Sequence, residues 1–211
     1  MQKNKGKVLR LLFVFIFSIS RIIAQDSTEI KRIITFQEKL NKKFSIEDTS
    51  PLLPNDLKKF KSLDFFEIDT TFIVKAKFVR TPYETPFIMK TTTGNEPLYV
   101  KYGEAHFTLD EKSYILNIYQ NQGLKTNPEY QNYLFLPFTD LTNGFSTYKG
   151  GRYIDLVIPE NESILIDFNT AYNPFCSYNE SYSCPIPPKE NDLDLKIPVG
   201  VKVFKKKQEN E

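Results

Sequence analysis

Two periodicities divide the chain. Between Thr28 and Lys43 the apolar residues Ile30, Ile33, Ile34, Phe36 and Leu40 recur every three or four positions, which predicts a helix with Ser27 or Thr28 as its cap. Asp48-Thr49-Ser50-Pro51 reads as a loop. A second short helix is expected from Pro54-Asn55-Asp56, with Leu57 and Phe60 three apart and Asn55 as cap. From Asp69 the period becomes two. Phe72, Val74, Ala76 and Phe78 alternate with Thr71, Ile73, Lys75 and Lys77, as in a strand with one buried face. Further strands are expected at Phe87–Lys90, Leu98–Tyr102, Leu134–Phe138, Leu193–Ile197 and Val199–Phe204.

Two hairpins follow from the same pattern. Pairing Leu109 with Tyr114, Phe107 with Leu116 and Ala105 with Ile118 gathers six apolar residues on one face and leaves Glu111-Lys112 as a two-residue loop. Glu-Lys is a poor fit to such loops, which need positive φ. In the second hairpin, Arg152–Ile158 pairs with Ser163–Phe168. That register puts Arg152 across from Asn169, with Asp167 diagonal to it, and places Asp155 on the opposite face beside Tyr153 and Val157. The fold class expected is mainly β, a β-rich α+β chain. It is read as an antiparallel sheet, sandwich or partly open barrel with one or two N-terminal helices.

Charge matters chiefly through the first residues. Lys3, Lys5, Lys7 and Arg10 precede the apolar run Leu11–Ile19, and Ala24 follows, the order of a signal peptide over residues 1–24. The whole chain has 28 Lys and Arg against 26 Asp and Glu; removing the five bases of that segment leaves 23 against 26, a net charge of −3. The remainder therefore lacks the basic surface that nucleic-acid binding requires. The expected organisation is a signal peptide (1–24), a helical segment packed on the domain (25–68), an antiparallel β domain (69–204) and a polar tail (205–211). Localisation is read as exported, periplasmic or extracellular, with membrane contact only through the targeting segment.

Candidate chemistry concentrates in DFNTAYNPFCSYNESYSCPIPPKEN, residues 167–191, which reads as a shaped loop pinned across the face of a sheet. Arg152 offers a planar fork of donors for a carboxylate or phosphate. With Asp167, Asn169, Tyr172 and Asn173 it forms a candidate polar or anionic ligand site, and Arg80 and Asp140 are further contributors. The plainer alternative is that Arg152 and Asp167 pair and the asparagines tie down the loop. Cys176 and Cys184, the only cysteines, read as a disulfide closing a small loop. A metal-binding pair would need more ligands, and no histidine cluster supplies them. No metal or cofactor is expected. His106, the only histidine, is an acid/base candidate by type, and Asp140, Asp155, Asp167 or Glu190 could serve acidic chemistry. No phosphate-binding glycine loop, dinucleotide fingerprint, zinc signature or nucleophile elbow is present.

The runs RTPYETPF (Arg80–Phe87), YGEAHFTLD (Tyr102–Asp110), LFLPFTDLTNG (Leu134–Gly144), YKGGRYIDL (Tyr148–Leu156) and the cysteine segment resemble the family known as domain of unknown function 1684. The resemblance spans Phe36 to Phe204. It implies a shared fold and carries no reaction, ligand or catalytic residue. Three functions are expected: a non-enzymatic domain binding a small polar or anionic ligand or an envelope component; a hydrolase of an envelope or extracellular substrate using acidic residues; or an interaction module without a pocket.

Overall fold

The computed structural model describes residues 27–205; the expected signal peptide and most of the polar tail lie outside the described residues. Helix α1 covers residues 27–45. Its packing face is Ile33 and Phe44, both buried, with Phe36 and Leu40 half-buried between them, while Ile30 and Ile34 stay exposed. Helix α2 (Pro54–Lys59) has Pro54 in its first turn, where a missing N–H costs nothing, and no side chain caps it. The expected cap, Asn55, instead lies inside the helix.

Eight strands follow: β1 (Ile73–Arg80), β2 (Phe87–Ile88), β3 (Leu98–Leu109), β4 (Lys112–Asn121), β5 (Tyr133–Asp140), β6 (Arg152–Val157), β7 (Ser163–Asp167) and β8 (Asp192–Leu193). They form one sheet ordered β6-β5-β4-β3-β1-β7, with β2 added to β3 and β8 parallel to β5. All other pairings are antiparallel. Residues 199–204 make only the bridge Phe65–Val201, so the last expected strand is a lone pairing.

The two ends of this sheet, β6 and β7, are consecutive in the chain and joined by residues 158–162. Five residues reach at most about 18 Å, so the sheet must curl until its edges approach. The result is a half-barrel. Its interior holds Val74, Ala76, Phe78, Ala105, Leu116, Ile118, Leu136, Phe138, Ile154, Ile166 and Phe168. Gly103 sits at a bulge in β3, where a Cβ would lie 2.6 Å from the Phe78 ring.

Both expected hairpins need correction. The first exists, but its register is moved by two residues: Phe107 faces Tyr114, Ala105 faces Leu116, and Gly103 faces Ile118. The loop is Asp110-Glu111, both with positive φ, 49° and 60°. A two-residue shift preserves parity, so the buried face was right and the turn was wrong. The second does not form. β6 pairs with β5 and β7 with β1. Ile164, Ile166 and Phe168 face the interior with Ile154 and Leu156. Asp167 therefore points away from Arg152.

Between β4 and β5 only Tyr119 and Phe135 pair. Pro137 has no N–H to offer there. The side chain of buried Asn191 fills the gap, accepting from Asn117 N–H (2.8 Å) and donating to the carbonyls of Asn117 (2.8 Å) and Pro137 (2.7 Å).

Candidate functional site

The site expected around Arg152 is a structural ion pair instead. Arg152 is fully buried. Its Nη2 donates to Asp140 Oδ2 and to the Ile197 carbonyl, each at 2.8 Å, and Nη1 donates to the Val199 carbonyl. Asp140 Oδ1 accepts from Thr142 N–H (2.8 Å), Thr142 Oγ1 (2.6 Å) and Ile197 N–H (3.2 Å). Burial holds the guanidinium pKa below its ordinary value, opposed by Asp140. The guanidinium has no exposed surface.

The remaining expected residues scatter. Asp167 Oδ2 pairs with Arg32 on α1 at 2.6 Å, and its Oδ1 accepts from Asn169 N–H and Nδ2, both at 2.9 Å. Asn169 also clasps the backbone of Asp69, donating to its carbonyl and accepting from its N–H, each at 2.9 Å. Asn173 is buried and donates to the Lys202 carbonyl at 2.8 Å. Arg80 lies exposed over the Tyr102 ring, 3.4 Å from its centroid, and donates to the Tyr102 carbonyl. His106 Nε2 meets Glu104 Oε2 at 2.9 Å on the surface. None of these lines a common cavity with Arg152. Of the candidate ligand residues, Tyr172 lines a pocket.

That pocket lies on the outer face of the sheet. It has a volume of about 320 Å³. The floor is Tyr99 from β3, Tyr133 and Phe135 from β5, and Tyr153 and Asp155 from β6. Helix α1 supplies Phe36, Leu40 and Lys43 on one side, and the cysteine loop supplies Tyr172, Phe175, Tyr182 and Cys184 on the other. The expectation of a loop pinned across a sheet face holds in this geometry. Tyr172 and Tyr153 exchange two backbone hydrogen bonds of 3.0 and 2.9 Å, the Tyr153 hydroxyl donates to the Pro185 carbonyl, and Ile186 N–H donates to the Lys90 carbonyl at 2.8 Å.

The rings interlock edge to face: Phe135–Tyr153 at 4.7 Å, Tyr153–Tyr172 at 5.9 Å and Phe175–Tyr182 at 5.4 Å between centroids. At their centre the hydroxyls of Tyr133 (2.8 Å) and Tyr172 (2.6 Å) both donate to Asp155 Oδ1. Burial, and then the Asp155 charge, push both phenols well above their ordinary pKa, so they stay donors at any physiological pH. Asp155 and Lys43 are the ionisable side chains of opposite sign at this cavity, and Lys43 Nζ lies 4.7 Å from the Phe175 ring centroid rather than on the carboxylate.

The cysteines do not close a disulfide. Both are free and buried, the sulfurs are not at bonding distance, and Cys184 Sγ accepts a hydrogen bond from Cys176 N–H at 3.0 Å. The hydrogen bond from Cys184 lowers the Cys176 thiol to about 7, and the same interaction raises Cys184. Among the described residues no group of three or more His, Cys, Asp or Glu could hold a metal, and no helix is long and apolar enough to cross a membrane.

Parity had placed Asp155 on one face with Tyr153, yet an acid among outward residues looks like ordinary solvated surface. What marks it is the loop and helix laid over that face. Only tertiary structure shows this.

Residues 58–202 match the family described as protein of unknown function (DUF1684). The match begins after α1, so Phe36, Leu40 and Lys43 lie outside it, whereas the resemblance read from the sequence had begun at Phe36. A similar solved structure is the solution NMR structure of an uncharacterised protein of Haloarcula marismortui. It is 27% identical, with a TM-score of 0.66, covering 84% of this chain and 96% of that one. No curated protein matches.

Proposed function

The chain belongs to the DUF1684 family of proteins of unknown function, and on that premise we propose that it binds a small polar organic ligand in the aromatic cavity between α1, the sheet and the cysteine loop. The observation that carries this reading is the convergence of the Tyr133 and Tyr172 hydroxyls on one oxygen of Asp155 within a cavity walled by rings. Ligand sites are typically apolar concavities with a few placed polar groups that set orientation. An anionic ligand is disfavoured by the acid on this floor, and Arg152 is buried elsewhere. We keep export through residues 1–24 as part of the proposal, which makes an envelope or extracellular small molecule the natural ligand. Its check is N-terminal sequencing of protein recovered outside the cytoplasm, which should begin at Gln25 or Asp26.

A thermal-shift screen of amines, sugars, carboxylates and phosphates tests the pocket. A hit should lose its stabilising effect in Leu124→Trp, because Leu124 is a half-exposed lining residue whose enlargement fills the cavity. A hit unaffected by Leu124→Trp places binding elsewhere and rejects the pocket.

A further inference from the structure

We propose that the ligand of this cavity is an organic cation, an alkylammonium or quaternary ammonium carrying a compact apolar body. The inference rests on the pocket reading above and adds the charge of the ligand. Three observations carry it. First, Asp155 is the acid at the cavity, and its two oxygens differ: Oδ1 is saturated by two phenols, whereas Oδ2 has no donor among the described residues. Two neutral donors on one oxygen hold the carboxylate in place without cancelling its charge. Second, the surrounding surface is the faces and edges of Tyr99, Phe135, Tyr153 and Tyr172, joined by ring contacts of 5.8, 4.7 and 5.9 Å. Ring faces attract cations through their quadrupole, most strongly where water is excluded. A cage of rings around one carboxylate is the arrangement that chemistry requires for an ammonium without spare protons to donate. Third, the wall already holds one cation against a ring. The Lys43 ammonium rests on Phe175, at 4.7 Å, instead of reaching a carboxylate.

Lys43 also gives the inference its sharpest discriminator. Its positive charge at the cavity opposes a cationic ligand and would favour an anionic one. Removing it must therefore move the affinity in opposite directions for the two ligand classes. A neutral ligand should be nearly indifferent.

The experiment is isothermal titration calorimetry on the full chain with benzyltrimethylammonium, its neutral carbon isostere, a simple sugar and benzoate. The expected result is binding of benzyltrimethylammonium alone, weakened about tenfold or more in Asp155→Asn, strengthened about two- to fivefold in Lys43→Met by loss of an exposed like charge, and weakened by salt. Asp155→Asn leaves the amide able to accept from the phenols, and circular dichroism checks that it folds. Lys43 lines the cavity from α1 beside Phe175, and Met keeps an apolar stem there while removing the charge. Equal binding of the neutral isostere, or tighter benzoate binding than cation binding, overturns the cation inference while leaving the pocket in place. Binding of none of the four compounds, in a protein whose thermal-shift hits survive Leu124→Trp, overturns both.

Discussion

Arg152 shows why residue type is an uncertain guide to role. A guanidinium at a strand end, among acids and asparagines, looks like an anion receptor. Enclosed by Asp140 and two carbonyls it is a core element. Its Nε has no partner among the described residues, so the pair is imperfectly compensated and held by its surroundings. Removing one member of such a pair leaves the other buried and uncompensated, a loss of about 3–5 kcal/mol. Arg152→Met should therefore lower the denaturation midpoint steeply, and Asp140→Asn should do the same. Joint replacement by Met and Leu should recover much of the loss, because it deletes both desolvation penalties. Chemical denaturation of the four proteins measures the cycle. Additive losses would show that the two charges do not depend on each other.

At the scale of elements, Asn191 does the work of a missing strand. β4 and β5 share a single paired position, and the backbone of Asn117 and Pro137 is satisfied by one amide. Asn191→Ala leaves one donor and two acceptors without their partner in a buried seam, at about 1–3 kcal/mol for each group left dry. Water entering the gap would reduce this, so a net loss of about 2–4 kcal/mol is expected. Amide exchange at Asn117 should accelerate with it; unchanged protection there would reject the role. This element also marks the limit of the sequence reading. Helix α1, strand β1 and the β3–β4 hairpin were legible because each declares its buried face by its own periodicity. The register of that hairpin was not, since moving it by two residues keeps the same face and only the dihedrals at Asp110 and Glu111 decide. That β7 pairs with β1 rather than with β6 depends on the order of the whole sheet. Local alternation carries no record of it.

For the whole molecule, the outer face of the half-barrel explains both the aromatic wealth of the chain and the failure to locate its site beforehand. Eighteen Phe and 12 Tyr are more rings than the half-barrel interior holds. Many of the tyrosines instead form a second layer between the sheet and its cover, with Met89, Tyr99, Tyr119, Phe135 and Tyr153 as its buried members. Tyr172 was named as a candidate from the loop's composition, but its partners Tyr133 and Asp155 come from strands far away in the chain. The layer has a measurable consequence at alkaline pH. Desolvation is the first cause in each case: it pushes Tyr119 and Tyr148 up to about 12 and raises Tyr99, Tyr133, Tyr153, Tyr172 and Tyr178 as well. A phenol whose folded pKa exceeds its unfolded value near 10 stabilises the fold fully below about pH 10 and loses that contribution as pH rises through the folded value. Stability should thus be flat from neutrality to about pH 10 and fall between about pH 10 and 12 and beyond. Below the transition, the buried phenols Tyr99, Tyr133, Tyr153 and Tyr172 should add no phenolate absorbance. The buried set should ionise together, in step with loss of the circular dichroism signal. Titration of Tyr99, Tyr133, Tyr153 and Tyr172 near the ordinary phenol pKa, with the fold intact, would mean that the ring layer is open to water.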